Sequence, residues 1–281
     1  MASANEQQIG RIFYGLAPQI FRSKTSPSFT AFGKLVLFAI LLASFAPKVL
    51  AQSGTEVKPR SMDDAIAILN QAREQFKTVR DYECRLVKKE RINDKIMPTG
   101  VMTMRVRNSP LSVYLKSESP YEDRGLEVCY VEGQNHGMMR IHPNFLYGIL
   151  GFISLNPRDP RVFQKSRHSI TDAGLGNLLE STAKYWEMER ELKQTIVYIT
   201  DEKLEGQLCT RIDTIHPNKK AGNFYGYHCI LWLDKTTLLP VGAETYDWPK
   251  QGGPEGGNLL ERYRFLNMRH NIGLTDRQFA H

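Results

Sequence analysis

Side chains able to catalyse or to bind metal are present, but not at spacings that bring them together. His136 and His142 lie six residues apart and could share one strand face, with His168 further along the chain. Zinc sites use such imidazoles, yet none of the three has ligand spacing joined to a second partner. They read as exposed or internally bonded histidines, and no metal is expected. The carboxylate pairs Asp63-Asp64 and Glu187 with Glu189 fall on helix ends and surfaces, whereas general acid–base chemistry needs a cleft. Gly-x-Ser-x-Gly, a glycine-rich phosphate loop and His-Glu-x-x-His are absent from the sequence. Gly174-Leu175-Gly176 lacks a third glycine and reads as a turn beside a helix start. The glycine-rich run from Gln251 to Gly257 is a flexible hairpin loop rather than a nucleotide cradle. No catalytic residue and no cofactor follows, and a non-enzyme is the expectation.

Compartment is more legible than chemistry. The chain has 281 residues, 41% of them hydrophobic and 24% charged, ordinary values for a globular protein. From Leu35 to Ala46 runs LVLFAILLASFA, without a charge. A membrane-spanning helix needs roughly 20 apolar residues, so this shorter run suits the core of a secretory signal. Val49-Leu50-Ala51 then offers small residues for cleavage before Gln52, and Arg11, Arg22, Lys24 and Lys34 precede the run as a basic leader. An uncleaved signal anchor is the alternative. Residues 1–51 hold five basic residues and one acidic, so the remainder carries 32 basic against 29 acidic. Most of the apparent basicity therefore belongs to the leader. Lys88-Lys89 and Lys219-Lys220 read as solvated strand faces or turns, and no nucleic-acid partner is expected.

Residues 52–60 form a polar linker, and Ser61 with Asp64 is close to a capping box. Met62, Ala65, Ile66, Leu69, Ala72, Phe76 and Val79 follow at spacings of three and four, which predicts an amphipathic helix ending near Arg80. After Asp81 the period becomes two. Short strands are predicted from Tyr82 onward, over Val101–Arg107, Leu111–Ser117, Gly125–Glu132 and Gly137–Ile141. A second set covers Thr195–Asp201, Gln207–Ile215, Phe224–Asp234, Leu239–Tyr246 and Leu259–Arg269. About ten strands in one antiparallel meander curl into a barrel or half-barrel. Between the sets, the apolar stretch from Asn144 to Leu155 is broken by Gly148 and Gly151, and Thr171-Asp172 opens a second helix toward Glu191. That stretch is either a lid over a cavity or a buried crossover.

Cys209 and Cys229 are symmetric about Lys219, inside the turn from Pro217 to Asn223. Direct opposition across a hairpin would bring them near disulfide reach, and an oxidising compartment favours the bond. A one-residue register shift would separate them onto opposite faces, leaving two free thiols. Cys84 and Cys129 fall on strands that should not be neighbours.

Several segments together carry a likeness. Tyr82-Glu83-Cys84 with Lys88-Lys89-Glu90-Arg91, Arg105-Val106-Arg107 with Ser112-Val113-Tyr114-Leu115, and the run from Glu127 to Gly133 occur in order. Asn156-Pro157, Arg167-His168-Ser169-Ile170-Thr171 and Asn271-Ile272-Gly273-Leu274-Thr275 with Phe279 follow. The chain resembles the family called domain of unknown function 1571 over roughly residues 62–280. That family is similar in layout to the periplasmic lipoprotein carriers and their outer-membrane receptors (the LolA/LolB-like proteins). The resemblance implies an α+β fold: a strongly curved antiparallel half-barrel whose open side is covered by helices around an apolar cavity, one domain over residues 61–281. It carries no catalytic residues.

The function expected is an exported periplasmic or envelope protein that holds a lipid, a lipoprotein acyl chain or another hydrophobic ligand in the concave face. Its partners would be a hydrophobic ligand or lipidated protein and an envelope membrane component. The alternative is a structural or interaction module with a filled core. Expected ligand contacts are Phe145, Leu146, Tyr147, Leu150, Phe152 and Ile153 from the glycine-hinged stretch. From the sheet come Met102, Met104 and Val106 on one strand face, with Tyr114 and Trp232 assigned by strand parity. One prediction stands on the sequence alone: N-terminal sequencing of the mature protein begins at Gln52, and recovery of the full-length chain in the cytoplasm refutes export.

Overall fold

The computed structural model describes residues 57–144 and 151–280. The leader and its cleavage point lie outside the described residues, as do Phe145, Leu146, Tyr147 and Leu150. Helix α1 (Met62–Phe76) starts at the capping box: Asp64 N–H donates to Ser61 Oγ at 3.0 Å and Ser61 N–H to Asp64 Oδ2 at 3.2 Å. It ends one turn earlier than the periodicity predicts. Thr78 and Val79 enter a turn, but Val79 stays buried as the pattern requires.

Strands β1 (Asp81–Ile92), β2 (Lys95–Ile96), β3 (Gly100–Asn108), β4 (Leu111–Ser119), β5 (Glu127–Val131), β6 (Met139–His142) and β7 (Ile153–Leu155) follow. Helix α2 (Leu175–Leu192) precedes β8 (Ile196–Leu204), β9 (Gln207–Ile215), β10 (His228–Asp234), β11 (Pro240–Tyr246) and β12 (Leu259–His270). Asn93-Asp94 and Glu205-Gly206 close tight hairpins with positive φ at both central residues, the geometry a two-residue hairpin needs. Thr171-Asp172 does not open α2; it belongs to a one-turn helix over Ile170–Asp172, and Gly174 (φ 108°) leads into α2.

All twelve strands form one antiparallel sheet in the order β7-β6-β5-β4-β3-β1-β12-β11-β10-β9-β8, with β2 paired only to β1. The sheet does not close: β7 and β8 are its two edges. The fold is α+β, a curved open half-barrel with two helices. The two strands beyond the expected ten are β2, inside a turn, and β7, inside the glycine-broken stretch. The strands are not one simple meander, because β1 lies between β3 and β12.

The cysteine pairing expected from symmetry does not form. Cys209 opposes Asp234 and Cys229 opposes Thr214, so the two thiols point to opposite faces, and all four cysteines are free. The loop explains the shift. His216 N–H donates to Tyr227 O at 2.8 Å and a one-turn helix spans Lys219–Ala221, so the hairpin's centre falls between Ala221 and Gly222 instead of at Lys219. Accordingly, peptide mapping of denatured, unreduced protein should show Cys209 and Cys229 both alkylated.

Candidate functional site

Strand alternation sorts the side chains onto two faces, one of them facing the helices. On the helix-facing side of β8–β10, Val197, Ile212, Leu231 and Leu233 pack under Ala65, Ile66, Leu69 and Ala72 of α1 and Leu179 and Trp186 of α2. These side chains are buried and fill the space between layers. Arg73 of α1 clamps Glu180 of α2 through two hydrogen bonds of 2.9 and 2.6 Å.

The other half of that face is covered less completely. Cross-strand rows run Met104–Leu115–Val128–Ile141–Ile153 and Val106–Val113–Tyr130–Met139–Leu155. Val162 and Ile170 pack on them from the segment that crosses the sheet between β7 and α2, and Leu175 and Leu178 from the first turn of α2. Met102, Leu115, Val128 and Tyr130 nevertheless remain half-buried, a contiguous apolar wall. Of the expected contacts, Met104 and Val106 are buried in this cluster, Ile153 is buried opposite Ile141 at its margin, and Met102 borders it. Tyr114 and Trp232 do not share the face. Tyr114 opposes Arg105 and Trp232 opposes Arg211, both on the other side of the sheet. Assigning them by parity failed because the two-residue turn Ser109-Pro110 pairs even residues of β3 with odd ones of β4, and the loop-shifted β9–β10 hairpin likewise moves the count. Phe152 also lies on that other side, exposed, with the Arg140 guanidinium 4.5 Å from its ring centre and His142 beside it. Two solvent-open hollows lie there too: about 370 Å³ around Cys129, Met138, Arg140 and Phe279, and about 340 Å³ around Glu83, Arg85 and Arg269.

Where the wall meets the end of β1, the helix-facing side turns from apolar to ionic. Glu90 and Glu261 oppose each other across β1 and β12, and both are buried. Lys88 Nζ lies 2.9 Å from Glu90 Oε2, and the Tyr263 hydroxyl donates to Glu90 Oε1. Arg167 Nε donates to Glu261 Oε2 at 3.1 Å, and His168 Nε2 lies 2.8 Å from the same oxygen. The Tyr225 hydroxyl approaches His168 Nε2 at 3.4 Å. Lys88, expected on a solvated face, is instead half-buried in this network. Its aliphatic stem and the Met102 methyl both border Gly100, so wall and network adjoin.

Burial opposes ionisation of Glu90. Lys88, the Tyr263 hydroxyl and the Arg167 N–H outweigh it and hold its pKa below the usual carboxylate range. Burial likewise opposes protonation of His168, yet the Glu261 carboxylate outweighs it and raises the imidazole's pKa. Burial pushes the Tyr263 hydroxyl well up, so it remains a donor. Sequence reasoning missed this network because its members span residues 88 to 263. The available signals were Lys88-Lys89-Glu90-Arg91 and Arg167-His168 within the shared motifs.

A second buried pair is structural. Glu189, expected on a surface, is buried with His216 Nε2 3.1 Å from its carboxylate, and Phe224 stacks on that imidazole. It fastens the end of α2 to β9. Among the described residues, no group of three histidine, cysteine or acidic side chains is arranged to hold a metal. No helix among them is long and apolar enough to cross a membrane.

A family model described as protein of unknown function (DUF1571) matches residues 79–281. The chain belongs to the DUF1571 family. No curated protein matches it. Among solved structures, this DUF1571 chain is similar to an uncharacterized conserved protein of Thermus thermophilus, at 8% identity and TM-score 0.44, covering 78% of this chain and 93% of that one. It is also similar to the lipoprotein LppX of Mycobacterium tuberculosis, at 11% identity and TM-score 0.42, covering 76% and 98%. A LolA superfamily protein of Nitrosomonas europaea matches at 11% identity and TM-score 0.33, covering 76% and 96%. Likeness at this level says nothing of ligand or partner.

The ionic network sets a pH test. Glu90→Gln should cost about 2 kcal/mol at neutral pH, since Lys88 and the Arg167 N–H lose an ionised acceptor. Because the Glu90 pKa is lowered, its contribution is present above the free carboxylate value and disappears as pH falls through the lowered one. Urea denaturation should therefore show wild type and variant converging in acid.

Proposed function

We propose that this protein is a non-enzymatic, exported envelope protein that binds an apolar ligand, a lipid or acyl chain, on the half-covered wall of β3–β6. The observation that carries the reading is the continuous strip of Met102, Leu115, Val128 and Tyr130, left half-buried on the side of the sheet that the segment between β7 and α2 crosses. Incompletely covered apolar surface of this kind is costly in water and marks binding sites. Methionine suits chains of varied shape. The signal-like leader supports the envelope location.

A second reading, an interaction module with a filled core, draws on the dry packing under α1 and α2. One titration separates the two. A fluorescent fatty-acyl probe should bind wild type, and Val128→Asp should weaken binding at least about tenfold while far-ultraviolet circular dichroism stays native. Phe152→Asp, on the opposite face, should leave binding unchanged. No uptake by wild type at any concentration refutes the ligand reading and leaves the filled-core module.

A further inference from the structure

We propose that residues 165–168 form a pH-responsive latch that holds the crossing segment closed over the apolar wall and loosens as pH rises. This rests on the reading of that wall as the ligand site. The base of the segment is pinned: Ser169 Oγ donates to Pro157 O at 2.8 Å, flanked by the buried Leu155 and Ile170. Residues 158–168 are thus one loop that leaves the wall about a fixed base.

The returning leg of the loop is fastened by four consecutive residues, to the turn before β5, to β1 and to β12. Lys165 Nζ lies 3.0 Å from Asp123 Oδ1, in the turn before β5. Ser166 Oγ accepts from Lys88 Nζ at 3.3 Å. Arg167 donates through its N–H to Glu90 Oε1 at 3.3 Å, through Nε to Glu261, and through Nη1 to Arg91 O at 3.1 Å. His168 Nε2 closes on Glu261 Oε2 at 2.8 Å. Val162 is the loop's apolar contact with the wall, and it is only half-buried. The helices are held to the sheet by dry packing. This loop is held by charge.

One member of the latch is an imidazole, the side chain that changes charge most readily around physiological pH. His168 faces Glu261 and Tyr263 of β12, Glu90 and Lys88 of β1, Tyr225 of the β9–β10 loop, and its neighbour Arg167. Protonated, it donates a charge-assisted bond to Glu261; neutral, it keeps at most an ordinary one. With its pKa raised in the closed state, the latch is strongest below the free imidazole's pKa, and that contribution is lost as pH rises through the raised value. The ties of Lys165, Ser166 and the Arg167 N–H remain, so the loop loosens without being released. The change in loop opening is about fivefold, the difference between a charged and a neutral hydrogen bond.

Hydrogen exchange of the full chain, corrected for intrinsic rates and referenced to α1, tests this at about pH 6 and about pH 9. Opening of residues 158–168 should rise about fivefold at the higher pH in wild type. His168→Gln, which retains a donor but no titration, should remove that pH dependence. Lys165→Gln should raise opening by the same factor at both pH values. A wild-type loop indifferent to pH, or a His168→Gln variant with the wild-type slope, overturns the latch. The on-rate of the fatty-acyl probe should follow loop opening. If the loop responds but no probe binds at either pH, the ligand reading fails and the latch stands. If the probe binds while the loop is indifferent, the latch fails and the ligand reading stands.

Discussion

The antiparallel pairing of β1 with β12, from Tyr82 opposite His270 to Glu90 opposite Glu261, is the contact on which the rest of the molecule depends. Strands β3–β7 are joined by local connections on one side of it, and β8–β11 on the other. Without the central pair, each half would present an unpaired edge, a liability for any sheet. The pairing also positions the helices. Buried Tyr82, at the start of β1, accepts a 2.8 Å hydrogen bond from the Leu175 N–H and so docks the first turn of α2 on the middle of the sheet.

The same register has an electrostatic cost. Like charges directly opposite on a sheet repel, and here Glu90 and Glu261 are opposite and buried. Lys88, Arg167, His168 and Tyr263 converge on them from β1, β12 and the crossing segment, and hold the Glu90 pKa down. A buried ion network contributes little net stability against an apolar replacement, but losing one member is expensive. Its effect is therefore positional: it dictates where the crossing segment lies.

Coverage of the sheet follows from dimensions. Eleven strands along the main path, about 4.8 Å apart, measure roughly 50 Å across the curve. Two helices of about 10 Å diameter shield about half of that. α1 and α2 lie mainly over β8–β10 and reach the other half only through Phe76, Leu175 and Leu178, so the wall on β3–β6 is left largely to the crossing segment. A packed half and a half-covered half in one sheet reconcile a well-filled core with a surface suited to an apolar ligand.

Local patterning was enough to read α1 with its Ser61 capping box, nearly every strand, and the antiparallel class. Capping, alternation and turn chemistry act within a few residues, and the chain reports them directly. The helix-facing placement of Met102, Met104 and Val106 follows from the same alternation. Register did not. The two-residue turn Ser109-Pro110 and a twelve-residue loop from His216 to Tyr227 sent Tyr114, Trp232 and the two hairpin cysteines to faces that counting could not supply. The acid–base network was beyond reach for a stronger reason. Glu90, His168 and Glu261 meet only because β1 pairs with β12 and the crossing segment is drawn onto both. Which residues alternate, where helices begin and which segments are apolar were written in the chain, since those are short-range energies. Which charges are buried together and which apolar strip is left half-covered were settled only on folding, since both depend on long-range register and on two helices being too few to span the sheet.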